Sequence, residues 1–287
     1  MRQVLDQFIK DVATGVSDDC LELLQAAEKK ESSASARDIL RTMLENVDLA
    51  GEQCKAVCQS PGFPACFVTF GAGCSALEVI NMLPQAISKA TNNGYLRPSI
   101  VNPLTRKNTG DNSGPGVPSV NCTYAKEQPH TDVIVSFKGC GAELGNAIKI
   151  FTPAQLGKNL SGLQEFILKT VIDAGGKPCP PIALGIGIGG QMDTCARLSR
   201  QAVSVRDWRD RNADPTLAEL ETNLLKAINS LGIGPAGIGG DTTALAVKIE
   251  MAYTHTAIAP VAVNFHCWVA RKGGLRIHPD GTTERLF

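Results

Sequence analysis

The fold class follows from one stretch of the chain, Lys177-Pro178-Cys179-Pro180-Pro181-Ile182-Ala183-Leu184-Gly185-Ile186-Gly187-Ile188-Gly189-Gly190. Its apolar run from Ile182 to Ile188 is typical of a buried strand. The glycines that end this run precede an amphipathic segment over 193–205, which predicts a helix. Because a buried strand followed closely by a helix is the repeating element of α/β proteins, the stretch predicts that class.

Further helices and strands are predicted on both sides of this stretch. Apolar residues at helical spacing predict an N-terminal helical layer over 1–57. Beyond it, the sequence predicts helices over 77–90, 160–174 and 217–231, strands over 63–70, 133–137, 244–251 and 261–265, and a terminal ribbon over 268–277 and 282–287. Together they predict a mixed α+β arrangement in which the helical layer packs on a mixed β-sheet core with Gly-rich ligand loops. We expect a single domain over 1–287, with the layer at 1–57 and a ligand-binding core at 58–287.

The composition limits the class of protein. Hydrophobic residues make up 43% of the 287 residues, which argues against disorder over most of the chain. Lys plus Arg and Asp plus Glu number 28 each, so no general attraction to nucleic acid or to acidic membranes is expected. No apolar run approaches the roughly 20 residues that a membrane helix needs, and no apolar segment typical of a signal peptide follows the N-terminus. We therefore predict a cytoplasmic protein that binds neither nucleic acid nor membrane.

Three of the ten cysteines lie in turns suited to close approach, where a thiol can act as a metal ligand. They are Cys58 in Cys58-Gln59-Ser60-Pro61-Gly62, Cys179 in the stretch quoted above, and Cys267 in Phe265-His266-Cys267-Trp268. Three such turns without a fourth predict a metal cluster with one open position. The other cysteines lie mostly in apolar or helical stretches: Cys20, Cys54, Cys66, Cys74, Cys122, Cys140 and Cys195.

Two glycine-rich turns admit more than one interpretation. Gly185–Gly190 loosely matches a dinucleotide-binding pattern, and a second glycine-rich turn covers 232–243 without a lysine at the position that a phosphate-binding loop requires. Both turns could serve only for tight packing. Alternatively, their backbone N–H groups could bind anions, and together with Arg97 and Arg106 in the Pro/Gly/Asn-rich loop over 97–120 they would suit a dicarboxylate.

Three long motifs resemble one enzyme family. The first is Pro178-Cys179-Pro180-Pro181 leading into Gly185–Gly190, and the second is 228–235 running into Gly239-Gly240-Asp241-Thr242-Thr243. The third is Thr254-His255-Thr256-Ala257, followed by 260–268. Together they resemble the α subunit of class I (iron–sulfur) fumarate hydratase and of its sister enzyme, L(+)-tartrate dehydratase. The resemblance covers nearly the whole chain, including the Asn108-Thr109-Gly110-Asp111-Asn112 loop.

The resemblance implies a 4Fe–4S cluster held by three cysteines, with the fourth iron open to substrate. Carried over by position, the ligands are Cys58, Cys179 and Cys267. Two other cysteines of this chain fall at positions where the family has no ligand. Cys66 falls among strand residues, and Cys140 falls in a glycine turn on the substrate side.

The resemblance also implies which residues contact substrate. Arg97 falls where the family has a carboxylate-binding arginine, and a planar guanidinium suits that role because it binds carboxylates through two hydrogen bonds. The glycines of the Lys138-Gly139-Cys140-Gly141 turn would let backbone amides approach substrate, so Lys138, Gly139 and Gly141 are assigned to substrate binding. His255, twelve residues before Cys267, matches an active-site histidine of the family. The other three histidines, His130, His266 and His278, are interpreted as ordinary structural residues.

One departure from the family lies beside the first ligand. The family motif is Cys-Gln-Asp-Thr-Gly, whereas this chain has Cys58-Gln59-Ser60-Pro61-Gly62. Gln59 is retained and is assigned to substrate binding. Ser60 replaces a carboxylate near the substrate hydroxyl, so it changes the charge and the proton transfer at that place. Ser60 is assigned, with His255, to catalysis.

The resemblance thus implies the α subunit of a hydro-lyase that adds water to, or eliminates it from, a small hydroxy-dicarboxylate of the fumarate/malate type. The family's two-subunit members imply a β subunit that completes the active site, in an α₂β₂ assembly. Three alternatives remain open: a related dehydratase for tartrate or a methylated dicarboxylate, a non-catalytic scaffold that binds a metal cluster or zinc, and a nucleotide-binding protein that uses Gly185–Gly190.

Overall fold

The computed structural model describes residues 1–72 and 76–287, and these divide into two compact units. Cys74 therefore lies outside the described residues. Unit 1 comprises Met1–Asp18, Glu45–Gly139 and Val269–Phe287, and unit 2 comprises Asp19–Leu44 and Cys140–Trp268. This division does not test the prediction of a single domain over 1–287, which stays a prediction.

Helices and strands alternate along much of the described chain, which confirms the predicted mixed α/β class. The helices are α1 (Arg2–Thr14), α2 (Asp18–Lys30), α3 (Ala34–Glu52), α4 (Ala76–Asn92), α5 (Cys140–Glu143), α6 (Pro153–Leu156), α7 (Ser161–Ala174), α8 (Met192–Val205) and α9 (Pro215–Asn229). The strands are β1 (Phe63–Phe70), β2 (Ser119–Tyr124), β3 (Thr131–Lys138), β4 (Ala147–Phe151), β5 (Ile182–Ile188), β6 (Ala244–Met251), β7 (Ala259–His266), β8 (Arg271–Ile277) and β9 (Thr283–Arg285). None of the described helices combines the length and the apolar composition that crossing a bilayer requires.

Unit 1 is built on a five-stranded mixed sheet in the order β2-β1-β3-β8-β9. Strand β1 runs parallel to β2 and antiparallel to β3, and the terminal ribbon β8–β9 is present as predicted. One face of the sheet is covered by α1 and α4. Phe8 of α1 and Leu83 of α4 are buried there with Val133 and Val135 of β3. Burial of such apolar surface is the main favourable contribution to the stability of the unit.

Unit 2 is built on a four-stranded sheet in the order β4-β7-β5-β6. Helix α8 lies directly on β5 because Gly185 and Gly187 have no side chains. A Cβ atom added to either glycine would come within 2.0 Å of a backbone oxygen of α8. Helix α7 lies on the opposite face, where its Ala174 and the ring of Phe265 both come within 3.3 Å of the position that a Cβ atom of Gly145 would take. The two glycines thus set the distance between strand and helix.

Two strands were not predicted, and the helical layer is divided. Strand β2 begins inside the segment predicted as a loop, and β4 carries exposed residues on three of its five positions, so neither shows a clear apolar pattern. The three N-terminal helices form as predicted, but α1 belongs to unit 1 and α2 to unit 2. The sequence therefore predicted the helices of the layer. It did not predict that these helices belong to two units, each with its own sheet.

Candidate active site

Cys179 and Cys267 lie beside each other in unit 2. The backbone N–H of Trp268 donates to the carbonyl oxygen of Cys179 at 3.4 Å, which joins the residue after Cys267 to the other cysteine. Cys179 adopts φ +58°, a left-handed conformation that a residue other than glycine rarely adopts. Both cysteines stand at the end of the sheet where β5 begins and β7 ends. The structure thus brings together two of the three predicted ligands.

The turn that contains Gly141 lies next to Cys179. The Sγ atom of Cys179 is 3.9 Å from the carbonyl oxygen of Lys177. A Cβ atom added to Gly141 would stand 3.1 Å from the same oxygen. A side chain at position 141 would therefore crowd the loop that holds the thiol, and glycine leaves the backbone accessible there.

Cys267 is held in place by the buried residue before it. The Nδ1 atom of His266 lies 3.0 Å from the carbonyl oxygen of Cys267, and its ring packs edge-on against Trp208 with 5.6 Å between centroids. His266 is fully buried, as expected for a structural histidine. These contacts fix the backbone that carries the thiol, whereas the Cys179 side of the pair is exposed.

Cys58 lies in unit 1, in a loop against the end of β3. The backbone N–H of Ser60 points to the Sγ atom of Cys58 at 3.4 Å. Such N–H···S contacts are typical of thiolates that ligate iron–sulfur clusters, because they stabilise the negative charge on sulfur. Gly62 has φ +81°, and a Cβ atom there would come within 2.7 Å of the backbone of Lys138. The loop from Cys58 to Gly62 is therefore adjacent to Lys138 within this unit.

Two of the remaining thiols are unsuited to metal binding. Burial raises the pKa of the Cys66 thiol to about 12. Burial, with a smaller effect of the Asp193 charge, raises the pKa of the Cys195 thiol to about 11. A metal ligand must be a thiolate, and both groups stay protonated near neutral pH. This supports the exclusion of Cys66 that the sequence predicted.

The donor chemistry of the three predicted ligands fits an iron–sulfur cluster. All three are free cysteines, one receives a backbone N–H bond on its sulfur, and two are joined through their backbones. Cys58 belongs to unit 1, however, while Cys179 and Cys267 belong to unit 2. Within residues 1–72 and 76–287, no three His, Cys, Asp or Glu side chains stand close enough together to hold a metal ion.

Arg97 is exposed at the start of its loop, and nothing described in the structure forms an ion pair with it. Its carbonyl oxygen accepts a hydrogen bond from Nδ2 of Asn112 at 3.0 Å. The Oδ1 atom of the same Asn112 accepts the N–H groups of Ser99 at 2.8 Å and Ile100 at 3.2 Å. Asn112 is 4% exposed, so these bonds are shielded from water. The guanidinium therefore projects from a backbone that a buried amide holds in place.

The role of Asn112 was missed from the sequence, although its loop was quoted for the resemblance. Asn112 also donates to Oγ1 of Thr91 at 2.9 Å, and its neighbour Asp111 accepts from Ser113 and Ser88. Hydrogen bonds from Ser113, and then from Ser88, hold the pKa of Asp111 below its usual value. The available signal was an asparagine in a Pro/Gly-rich loop, because the side chain of asparagine offers four hydrogen-bonding positions that can hold a loop backbone.

His255 is not near the cysteine pair. It lies in the exposed loop before β7, whereas Cys267 follows the other end of that strand. At about 3.3 Å per residue, the eight residues of β7 separate its two ends by about 25 Å. The resemblance implied that His255 belongs to the active site, but most of the twelve-residue separation between His255 and Cys267 is an extended strand. Unit 2 therefore places His255 at the opposite end of its sheet from Cys179 and Cys267.

The ring of His255 has a defined hydrogen bond. Its Nδ1 atom accepts the backbone N–H of Ala257 at 3.2 Å. In the neutral imidazole, a nitrogen that accepts a hydrogen bond leaves the proton on the other nitrogen. The neutral form of His255 thus presents a donor, Nε2–H, to its surroundings.

The glycines of the first glycine-rich turn pack against neighbouring backbone or donate backbone hydrogen bonds. Gly185 and Gly187 lie against α8, while Gly189 donates to Pro260 at 2.8 Å and Gly190 to Tyr253 at 3.3 Å. These N–H groups are therefore satisfied within the chain. These contacts support the interpretation of Gly185–Gly190 as a packing turn, and the N–H groups of Gly189 and Gly190 are not free to bind a nucleotide.

The second glycine-rich turn binds an anion that the chain itself supplies. The carboxylate of Glu31 accepts the backbone N–H of Asp241 at 2.8 and 3.1 Å, and that of Thr242 at 3.2 Å. Asp241 in turn accepts the N–H of Ser32 at 2.9 Å. Glu31 is 1% exposed. The N–H groups of Asp241 and Thr242, which the sequence suggested could bind an anionic ligand, are instead paired with a carboxylate from the loop between α2 and α3.

Comparison with known proteins identifies the family. The family model described as Fumarate hydratase (Fumerase) matches residues 2–276. The chain therefore belongs to the fumarate hydratase family.

The relatives are named for a related dehydratase. A protein of Methanocaldococcus jannaschii named "Putative L(+)-tartrate dehydratase subunit alpha" is 38% identical over 281 residues, which are 96% of this chain and 97% of the relative. The L(+)-tartrate dehydratase subunit alpha of Escherichia coli K12 is 32% identical over 287 residues, 100% of this chain and 93% of the relative. The protein of the same name from Shigella sonnei shows the same identity and coverage.

Proposed function

We propose that this chain is the α subunit of a 4Fe–4S-dependent hydro-lyase that reversibly adds water to, or eliminates it from, a small hydroxy-dicarboxylate of the fumarate/malate type. One observation carries the proposal. In a chain of the fumarate hydratase family, the Trp268–Cys179 backbone bond joins two cysteine turns of the kind that ligate iron–sulfur clusters.

Cys58, Cys179 and Cys267 would hold the cluster. When bound, a cluster with one open iron supplies a Lewis acid that polarises the hydroxyl leaving from, or entering, the substrate. The Ser60 N–H bond to Cys58 and the backbone bond at Cys179 would hold two of the sulfurs in position before the cluster is loaded.

Substrate carboxylates would be bound by Arg97 and by backbone amides. The exposed guanidinium of Arg97 is suited to a bidentate contact with one carboxylate. Gly141, beside Cys179, would allow a backbone N–H to approach the second carboxylate, with Gly139 in the same turn. Lys138 is 1% exposed, so it would act through its positive charge, and the exposed Gln59 would donate to the substrate hydroxyl.

Proton transfer would involve Ser60 and His255. Ser60 stands where the family motif has a carboxylate, and its hydroxyl can only relay a proton or donate a hydrogen bond at neutral pH. His255 would donate from Nε2. Neither residue is assigned the role of general base in this proposal, so the general base would have to come from a partner chain.

The partner would be a β subunit. The word "alpha" in the names of the relatives supports a second kind of subunit, and we propose an α₂β₂ assembly in the cytoplasm. The β subunit would contribute the catalytic base and further cationic groups.

Tartrate is the second candidate substrate, because the relatives described above are named as L(+)-tartrate dehydratases. A methylated dicarboxylate is the remaining possibility within the same chemistry. The three share two carboxylates and a hydroxyl, so the groups that bind them would be the same.

Anaerobic co-expression with the β-type partner tests the proposal. The purified complex should be brown and bind close to four irons per α chain. It should convert malate or a methyl-substituted analogue to the unsaturated acid, or tartrate to the enol that tautomerises to a 2-oxo dicarboxylic acid. The substrate with the highest kcat/KM identifies the enzyme. A colourless complex with stoichiometric zinc and no lyase activity would contradict the proposal and favour the non-catalytic scaffold.

A further inference from the structure

The ligand turn, formed by Cys267 and Trp268, is held by three hydrogen bonds within unit 2. Trp268 donates its backbone N–H to Cys179, and the Nδ1 atom of His266 lies 3.0 Å from the carbonyl oxygen of Cys267. The thiol of Cys20 donates to the carbonyl oxygen of Trp268 at 3.0 Å. The first two bonds engage both ends of one peptide group, and the third engages the next. The backbone that follows the Cys267 thiol is therefore fixed at two consecutive peptide groups.

Two of these bonds lead back to one buried carboxylate, that of Asp19 near the start of α2. One oxygen of Asp19 accepts the backbone N–H of Cys20 at 2.8 Å, which places the thiol that donates to Trp268. The other oxygen accepts the backbone N–H of Trp208 at 2.7 Å. The ring of Trp208 packs edge-on against His266, with 5.6 Å between centroids. Asp19 is therefore joined to the ligand turn by two separate routes.

The chemistry of Asp19 argues for a role beyond packing. Asp19 is 1% exposed, and burial of a carboxylate is costly unless hydrogen bonds compensate for the lost water. An apolar side chain could fill the same volume without that cost, but it could not orient a backbone N–H. Both N–H groups that Asp19 orients belong to residues in contact with the ligand turn or with His266 beside it.

The thiol of Cys20 has a defined role in the same network. The sequence placed Cys20 among the cysteines of apolar or helical stretches, and the structure gives its thiol a specific partner. Because a carbonyl oxygen can only accept, the thiol is the donor in its bond to Trp268. Cys20 is fully buried, so water does not compete for that carbonyl oxygen from the side of the thiol.

We propose that Asp19 and Cys20 are positioning residues, which hold the ligand turn so that the thiol of Cys267 is oriented for the cluster. This inference rests on the proposed function, in which Cys267 is a cluster ligand. Groups that hydrogen-bond behind a metal ligand fix its orientation, and their loss typically costs about 10- to 100-fold in metal affinity. Asp19 and Cys20 act in this way through the backbone of the turn and not as ligands.

Substitution of Cys20 tests the donor to Trp268. The complex with the β-type partner is loaded anaerobically, and the release of iron to a colorimetric chelator is followed by absorbance. Cys20→Ala should release iron about tenfold faster than the wild type. Cys20→Ser should stay close to the wild type, because a hydroxyl can donate to the same oxygen.

Cys195→Ala is the matched control, since it makes the same truncation at another buried cysteine of unit 2. It should release iron at the wild-type rate. A wild-type rate for Cys20→Ala, or an equal acceleration in Cys195→Ala, would overturn the role of Cys20. Cys20→Ser as poor in iron as a ligand variant would show instead that Cys20 binds the cluster, which would also overturn it.

Substitution of Asp19 separates positioning from a general loss of stability. Asp19→Asn replaces one acceptor oxygen by a donor, so one of the two backbone N–H groups loses its partner. The matched control is Glu31→Gln, because Glu31 lies just beyond the other end of α2, is also 1% exposed and also accepts backbone N–H groups. Both variants should unfold at lower urea concentration than the wild type. Only Asp19→Asn should speed iron release and alter the EPR spectrum of the cluster, and equal spectra and rates in the two variants would overturn the proposal.

Hydrogen exchange in the complex before iron is loaded separates this proposal from the assignment of hydro-lyase function. The backbone N–H of Trp268 should exchange about tenfold faster in Asp19→Asn than in the wild type, and at the wild-type rate in Glu31→Gln. Unchanged exchange in Asp19→Asn would overturn the proposal whether or not a cluster binds. A wild-type complex that takes up no iron would contradict the proposed function, while the exchange of Trp268 would still decide whether Asp19 holds the turn.

Discussion

Trp268 donates its backbone N–H to the carbonyl oxygen of Cys179, 89 residues earlier in the chain, at 3.4 Å. The bond joins the residue after one predicted ligand to the other predicted ligand. No metal is needed to form it, because both partners belong to the backbone. Two thiols are therefore brought together before a cluster is loaded, which lowers the entropy cost of ligation.

Removing either thiol of this pair should abolish the cluster. In Cys179→Ser and Cys267→Ser, a hydroxyl replaces the thiolate ligand, so we expect iron content and visible absorbance to fall to near zero after anaerobic reconstitution. The matched control is Cys195→Ala, because burial and the Asp193 charge keep that thiol protonated. The assignment is wrong if Cys195→Ala loses as much iron as the two serine variants.

Arg97→Lys should weaken substrate binding. Lysine keeps the charge but loses the planar, bidentate geometry, so KM should rise about tenfold, which corresponds to one lost charge-assisted hydrogen bond. Arg106→Lys is the control, because Arg106 is an exposed arginine of the same loop. Steady-state kinetics should show an unchanged KM for Arg106→Lys. Equal effects of the two substitutions would show that the loop attracts substrate only by its charge.

Glu31→Ala should destabilise the fold without removing a residue that is assigned to the proposed hydro-lyase reaction. The N–H groups of Asp241 and Thr242 lose their buried carboxylate, so the free energy of unfolding should fall by about 3 kcal/mol. Glu28→Ala is the control. Glu28 pairs with Arg41 near the surface at 3.5 Å, and such pairs contribute about 1 kcal/mol or less. Urea unfolding of the two variants measures the difference, and similar losses would contradict the assigned role of Glu31.

Asp210 should make stability depend on pH at acidic values. Burial by itself would raise the pKa of Asp210, but hydrogen bonds from Arg206 and Lys248, both under 3 Å, outweigh it and hold the pKa below its usual value. A carboxylate with a lowered pKa stabilises the fold above its unfolded pKa, about 3.9, and loses that contribution as pH falls through the folded value.

The matching variant is Asp210→Asn. Near neutral pH it should unfold at lower urea concentration than the wild type, and the difference should shrink as pH is lowered below about 4. Asp173→Asn, which removes an exposed pair with Lys169, should be close to the wild type throughout. A difference for Asp210→Asn that stays constant with pH would show that the carboxylate acts through packing alone.

The sequence by itself determined the local structure of the chain. Ile182–Ile188 and Ala244–Met251 are strands with the predicted bounds, because short runs made mostly of apolar residues next to glycine or proline turns favour buried strands. It also singled out the turns of Cys58 and Cys179, since proline or glycine near a thiol is a local signal. The buried state of Cys66 was predicted for the same reason: its neighbours are apolar strand residues.

Only the tertiary structure decided which distant residues meet. It brought Cys179 next to Cys267, and it paired the backbone N–H groups of Asp241 and Thr242 with the carboxylate of Glu31. It also placed His255 at the other end of β7 from Cys267. The physical reason is that such contacts depend on strand order and strand length, which arise from packing across the whole sheet. Twelve residues can form a compact turn or an extended strand, and only the sheet determines which of these two conformations they adopt.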